Sequence, residues 1–319
     1  MRKFNLKGTV IQRMKGITRE ETKPVTPEKE KEAAEPEMIP AFTTEQGEFL
    51  CVWRTDVGRL RKNNQDAVIL GNGMAGVADG MGGHKGGEIA SAGLRDALLR
   101  ETKGCRPDSA KLEEAVSTAN LELFERQKDD AALSGMGTTM TVLWPTEKEM
   151  IIGQIGDSRA YLLRGGELTQ ITNDHSMVAD MVRKGVLTEE QAACHPLRNY
   201  ITRAVATEET VKTDLSIHDR KRGDIWLVCS DGLYGMMTKT QLEETVKASE
   251  DLEETADKLL RTALDNGGKD NISLVLLKDN TVREAMEAEP EERMTESGKN
   301  EETAKTESPE KDAEGVTDK

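Results

Sequence analysis

Five times along this chain an acidic residue stands beside glycine or asparagine where an apolar run ends or begins. The places are Asn64-Gln65-Asp66, Val77-Ala78-Asp79-Gly80, Gly156-Asp157-Ser158, Ser230-Asp231-Gly232 and Lys269-Asp270-Asn271. The apolar run 225–229 leads straight into Ser230-Asp231-Gly232, and the run 272–277 leaves directly from Asp270-Asn271. Their common setting is the end of a strand. One Asp-Gly after a strand is an ordinary turn. Carboxylates gathered at one sheet edge, however, repel each other unless a cation sits among them, so the repetition favours a metal cluster over a set of turns. The stretch Asp79-Gly80-Met81-Gly82-Gly83-His84 is the centre of the pattern. A carboxylate followed by backbone free to turn sharply and come close offers oxygen ligands to a hard cation.

Between these points the hydrophobic period changes in blocks. Residues 49–56, 66–70, 76–78, 139–144, 150–155, 159–163 and 168–171 read as strands, with Gly165-Gly166 as a hairpin turn. Residues 88–100 and 112–126 carry apolar side chains at helical spacing, Ile89/Leu94/Leu98 and Leu112/Val116/Ala119/Leu123. The segment 174–200 reads as a small helical insert over a sheet edge. Two further strands then precede helices at 241–247 and 252–264, and a strand closes at Leu277. Antiparallel runs with helices grouped in pairs predict an α+β fold and exclude a doubly wound sheet.

The chain has 319 residues, ample for a sizeable core, and its formal net charge of −15 is unevenly placed. Arg2, Lys3, Lys7, Arg13, Lys15 and Arg19 open it without an acid among them, a Glu/Lys/Pro stretch follows, and Glu and Lys dominate after Asn280. This predicts a basic arm and linker at 1–46, a folded domain at 47–280 and an acidic tail at 281–319, both ends disordered. The acidic balance argues against nucleic acid as a partner. Cys51, Cys105, Cys194 and Cys229 form no CxxC pair, and none is followed by arginine six positions on, which excludes the cysteine-nucleophile phosphatase signature. No apolar run approaches the roughly 20 residues that span a bilayer, so a cytoplasmic protein without a transmembrane segment is expected.

Taken in order, Arg61-x-x-x-Gln65-Asp66, Asp79-Gly80-Met81-Gly82-Gly83-His84, Gly137-Thr138-Thr139, Gly156-Asp157-Ser158-Arg159, Ser230-Asp231-Gly232 and Asp270-Asn271 resemble the metal-dependent type 2C (PPM family) serine/threonine protein phosphatases. The likeness is to the bacterial branch and covers roughly residues 48–278. It implies a four-layer α-β-β-α sandwich, two antiparallel sheets flanked by helix pairs, with 174–200 as the flap beside the active site. It also implies hydrolysis of phosphoserine and phosphothreonine monoesters by direct attack of a metal-bridging hydroxide, with two or three Mn2+ or Mg2+ ions as cofactors.

By the same resemblance Asp79 bridges two ions, Asp231 and Asp270 complete the ligands of the first, and the Gly80 carbonyl serves the second. Asp157 joins Asp231 at a third. Gln65 reaches the second ion through water, Asp66 supports the surrounding waters, and Asn271 orients the Asp270 loop. A guanidinium suits a phosphate dianion, and Arg61 is the expected phosphate ligand. The chain departs from the better-known eukaryotic pattern, in which a histidine directly follows Asp-Gly and is proposed as the general acid. Met81 stands there. A thioether donates no proton, so the role passes to His84, to a metal-bound water or to nothing.

Phosphorylated proteins are the implied substrates, a cognate serine/threonine kinase the implied counterpart, and a monomer the expected state. Two other readings stay open. One is a catalytically silent phosphate-binding regulatory or scaffold protein of the same fold, which the presence of Asp79, Asp231 and Asp270 disfavours. The other is a hydrolase of small phosphate esters.

Overall fold

Two antiparallel sheets face each other in a computed structural model that describes residues 42–44, 47–82, 86–249 and 251–281. The arm and linker assigned to 1–46 and the tail assigned to 281–319 lie, except for 42–44 and Thr281, outside the described residues. So does His84.

The elements run β1 (Phe42–Thr44), β2 (Gly47–Asp56), β3 (Asp66–Gly71), β4 (Met74–Met81), α1 (Gly86–Glu101), α2 (Ser109–Asp129), β5 (Gly137–Thr138), β6 (Met140–Pro145) and β7 (Glu149–Ile155). They continue with β8 (Arg159–Arg164), β9 (Glu167–Gln170), α3 (Met177–Arg183), α4 (Glu189–Ala193), β10 (Asp214–Asp219), β11 (Ile225–Cys229), α5 (Asp231–Tyr234), α6 (Lys239–Lys247), α7 (Leu252–Asp265) and β12 (Ile272–Asp279). One sheet has the order β1-β2-β12-β11-β8-β9 and the other β10-β7-β6-β4-β3, with β5 paired to the end of β4.

Alternation along the strands explains the layering. In β11, Trp226 and Val228 join Val77, Leu143, Ile152 and Val275 in the core between the sheets. Ile225, Leu227 and Cys229 point the other way, onto Leu242, Val246, Ala256 and Leu259 of α6 and α7. A strand buried on both faces reads as a continuous apolar run. The outer face of the second sheet receives Leu94 and Leu98 of α1 and Leu112, Val116 and Leu123 of α2. The result is the expected four-layer α-β-β-α sandwich.

Element ends differ from the sequence expectation where capping, not apolar period, sets them. Helix α2 starts at Ser109 because Asp108 accepts a hydrogen bond from the Lys111 N–H at 2.9 Å. Strand β1 pairs Phe42 with Phe49, so paired backbone begins upstream of residue 47. The consecutive strands β10 and β11 enter different sheets.

Beyond residues 174–200, the chain returns through a strained corner. Ala206 has φ +70°, in the left-handed region. Its N–H donates to Asn120 Oδ1 at 2.8 Å, and Gln127 Nε2 donates to its carbonyl. Asn120 Nδ2 also donates to the Glu208 and Glu209 carbonyls, each at 3.0 Å. Helix α2 thereby holds Val205 against β5, where it exchanges two backbone bonds with Thr138. Left-handed backbone is disfavoured by about 1–2 kcal/mol for alanine, and glycine gives back part of that gain through unfolded-state entropy. Ala206→Gly should therefore raise the free energy of unfolding by about 0.5–1 kcal/mol in a denaturant titration. A lower midpoint would show that this corner is not strained.

Candidate active site

A two-residue hairpin, Asn72-Gly73, sets the register on which the site depends. Both residues have positive φ, 51° and 78°, as the twist of a tight antiparallel hairpin requires. Asn72 Nδ2 donates to the Leu99 carbonyl at 2.7 Å, fixing the turn to α1. Counting back from the closing pair Gly71 and Met74 brings Asp66 directly opposite Asp79.

The Asp79 peptide is held from both sides. Its N–H donates to Thr139 Oγ1 at 2.9 Å, and its carbonyl accepts from the Thr139 N–H at 2.9 Å and Thr138 Oγ1 at 3.0 Å. Next along, the Gly80 N–H donates to the Gln65 carbonyl at 3.1 Å. A Cβ on Gly80 would lie 2.1 Å from the Gly87 carbonyl oxygen, so the end of β4 can cross the start of α1 only as glycine.

The other sheet delivers Asp231 and Asp270. Strand β11 ends at Cys229, and the Ser230 N–H donates to the Ser273 carbonyl at 3.0 Å before Asp231 begins α5. Ser230 Oγ donates to Asp66 Oδ2 at 2.8 Å and accepts from the Ser273 N–H at 3.0 Å, joining the two sheets at their rims. Asn271 staples the loop between β2 and β3. Its Oδ1 accepts from the Gln65 N–H at 2.8 Å, and its Nδ2 donates to the Val57 and Asn63 carbonyls at 3.0 and 2.9 Å. Asp157 arrives from the β7–β8 turn, where Tyr234 Oη donates to its carbonyl at 3.0 Å.

The structure therefore brings Asp66, Asp79, Asp157, Asp231 and Asp270 into one cluster. Burial, and then the charges of Asp66, Asp231, Asp157 and Asp270, push the Asp79 carboxyl well above its ordinary range. Burial is also the main cause for Asp66 and Asp157, each pushed up to about 7, and for Asp231, pushed up to about 6. Two buried oxygens, Asp66 Oδ1 and Asp231 Oδ1, have no hydrogen-bond partner. Such atoms are rare and ask for a ligand.

An all-oxygen donor set of clustered carboxylates suits a hard divalent cation such as Mg2+ or Mn2+, and the orphaned oxygens fit that use. Among the described residues no three His, Cys, Asp or Glu side chains stand close enough together to enclose one ion.

Arg61 stands at the rim, half exposed, with Nη2 donating to Asp270 Oδ2 at 2.6 Å. The other oxygen of Asp270 accepts from the Asn271 N–H at 2.8 Å. Gln65 is fixed through its backbone, its carbonyl also accepting from Ser91 Oγ at 2.6 Å. Sequence reasoning assigned no role to Ser230, Thr139, Ser91 or Tyr234. Ser230 and Thr139 lie inside the motifs, and their hydroxyls are the signal. Arg159, also in a motif, turns away to pair with Asp174 at 2.7 Å and stack on Tyr234, 3.7 Å from the ring centre.

Comparison with known proteins identifies similar sequences and structures over most of this chain. The sequence model of the family described as protein phosphatase 2C matches residues 60–276. The serine/threonine phosphatase stp of Listeria monocytogenes is 34% identical over 253 residues, covering 74% of this chain and 98% of that protein. Among solved structures, the Mycobacterium tuberculosis serine/threonine phosphatase PstP/Ppp superimposes with a TM-score of 0.68 at 38% identity, covering 72% of this chain and 98% of that one. The catalytic domain of serine threonine protein phosphatase PstP in complex with two manganese ions gives 0.66 at 36% identity, with 72% and 97% coverage.

Proposed function

The chain belongs to the protein phosphatase 2C family, and from that premise we infer that it is a metal-dependent enzyme hydrolysing phosphoserine and phosphothreonine monoesters in proteins. The observation that carries this reading is the cluster of Asp66, Asp79, Asp157, Asp231 and Asp270 at the joined rims of two sheets, with Asp157 buried, Asp66, Asp79 and Asp231 half-buried and Asp270 at its more open edge. Asp79, the Gly80 carbonyl, Asp231, Asp270 and Asp157 would hold two or three Mn2+ or Mg2+ ions, with Gln65 and Asp66 supporting the waters between. When bound, the ions neutralise phosphoryl charge and make hydroxide available near neutral pH.

The chain's own residues do the rest. Arg61, mobile enough at half exposure to leave Asp270, can fork onto two phosphate oxygens and orient the ester. Asn271 keeps the Arg61 loop and the Asp270 strand end in fixed relation. The catalytic unit is 47–280, extended at its start by the β1 pairing, with 174–200 as the flap. No helix among the described residues is long and apolar enough to cross a membrane. A cytoplasmic monomer working opposite a cognate serine/threonine kinase completes the proposal.

Purified full-length protein should release phosphate from phosphoserine and phosphothreonine peptides in Mn2+, not in chelator, and leave free phosphoamino acids and nucleotides largely intact. Silence on every substrate would favour the phosphate-binding scaffold, and equal turnover of nucleotides the small-ester hydrolase. Losing one charge-assisted fork, worth about 1.5–3 kcal/mol, Arg61→Ala should raise KM and the inhibition constant of inorganic phosphate together by about 10-fold or more. An unchanged phosphate inhibition constant would remove Arg61 from phosphate binding.

A further inference from the structure

The turn that presents Asp157 does not hold itself. Gly156, just before it, sits at φ +99°, and a Cβ there would lie 2.6 Å from Thr139 Cγ2. Glycine at such a corner is obligatory, and it brings maximal backbone freedom with it. One residue from elsewhere in the chain takes both polar groups of this peptide corner. The Gly156 N–H donates to His175 Nδ1 at 3.0 Å, and the His175 N–H donates to the Gly156 carbonyl at 3.0 Å. Gln154 Nε2 adds a bond of 3.2 Å to the same carbonyl.

The His175 ring is itself held. It is 5% exposed, and its Nε2 faces Asp214 Oδ2 at 2.9 Å. Arg203 Nη1 donates to the other oxygen of Asp214 at 2.5 Å and to the Lys212 carbonyl at 3.3 Å, and lies 3.1 Å from the same His175 Nε2. A neutral imidazole has one accepting nitrogen, and the Gly156 N–H takes it at Nδ1, so the ring proton is on Nε2, donated to Asp214 at 2.9 Å, while the nearby Arg203 Nη1 gives its protons to Asp214 Oδ1 and the Lys212 carbonyl. Burial keeps the imidazole below its ordinary range, against Asp214 and with the help of the Arg203 and Arg183 charges, so the ring is neutral. Burial would raise the Asp214 carboxyl, but the His175 and Arg203 bonds outweigh it and leave it ionised. With both ring nitrogens engaged and almost no exposure, His175 touches no substrate.

We propose that His175 is a positioning residue for Asp157: oriented by Asp214, it clamps the Gly156 peptide and so fixes the turn that aims Asp157 into the carboxylate cluster. The arrangement is the one by which a carboxylate orients a histidine toward a metal, with a backbone N–H in the metal's place. It rests on the reading of Asp157 as an ion ligand only for its effect on ion affinity.

Asparagine carries an oxygen near the place of Nδ1, whereas glutamine reaches only toward that of Nε2. In 15N-labelled full-length protein the imidazole should report the Nε2–H form. The Gly156 amide should exchange about 10-fold faster or more in His175→Gln than in wild type, and recover in His175→Asn. In Mn2+ titrations of the same proteins, the weakest binding step should fall about 10-fold in His175→Gln and recover in His175→Asn. A proton on Nδ1, or equal Gly156 exchange in the two variants, overturns the clamp even if one variant folds poorly. If Asp157→Asn weakens Mn2+ binding and His175→Gln does not, the positioning role is overturned. If Asp157→Asn leaves Mn2+ binding unchanged while Gly156 exchange follows the expected order, Asp157 is no ion ligand and the hold of His175 on the turn stands.

Discussion

Asp79→Asn should abolish manganese-dependent phosphatase activity, by about 10³-fold or more, while raising the melting temperature of the metal-free protein. The two effects have one cause. Asp79 is the most deeply surrounded carboxylate of the cluster, with Asp66, Asp231, Asp157 and Asp270 all raising its pKa beyond the effect of burial. In the metal-free fold such a carboxyl either stays charged among like charges or takes up a proton that the unfolded chain has released, and at neutral pH both destabilise. The amide keeps the shape of the side chain and removes the charge. It also supplies donors beside Asp231, whose buried Oδ1 has no partner. A gain of about 1–3 kcal/mol in chelator is the expected size, the range for satisfying a buried polar group. The same amide is a poor ligand for Mn2+, and on the proposed role of Asp79 as an ion ligand, loss of a Lewis-acid contribution of several kcal/mol would account for the rate. Thermal melts in chelator and phosphopeptide turnover in Mn2+ measure both arms. More than about one hundredth of wild-type turnover, or a lower melt, would mean that Asp79 is an ordinary turn aspartate.

That conflict between stability and function is why so much of the site could be seen in the sequence. Asp79, Asp231 and Asp270 each break an apolar run at a point where a strand must end, and local pattern is enough to find them. What local pattern does not carry is long-range register. Asp66 lands opposite Asp79 through the Asn72-Gly73 hairpin, and Ser230 meets Asp66 across 164 residues of chain. Beside the role at the Asp270 loop that the sequence suggests, Asn271 Nδ2 reaches back to Val57 and Asn63, which only the β2–β12 pairing brings near. Strand β1 is three residues long, too short to show a period. Strands β10 and β11 follow one another in sequence but fall in opposite sheets, β10 as a half-exposed edge and β11 buried along its whole length, and local pattern does not say which sheet an edge strand joins. His175 gave no sign at all: a lone histidine beside Asp174 shows neither of its distant partners, Gly156 and Asp214.

In chelator, the carboxylate cluster should make the protein less stable as pH rises from about 4 to about 7, and saturating Mn2+ should reverse that trend. An unfolded aspartate titrates near 3.8, whereas Asp66 and Asp157 titrate near 7 and Asp231 near 6 in the fold. Between those values the folded protein holds protons that the unfolded chain has released. Stability contributed by these groups is therefore fully present below about 4 and is lost as pH passes through 6 and 7. Each unit of difference is worth about 1.4 kcal/mol per group, so the loss across the window amounts to several kcal/mol. His175, lowered by burial, works in the opposite direction. The informative quantity is thus the gap between melts in Mn2+ and in chelator, in which such groups cancel. Ligands must shed their protons to bind, so the gap should widen from pH 5.5 to 7.5, by about 10 °C or more at roughly 2–4 °C per kcal/mol. In Asp79→Asn, with the proposed ion ligand gone, the gap should nearly close at every pH. A wild-type gap that stays constant or narrows as pH rises would mean that the buried carboxylates are not where the ions bind.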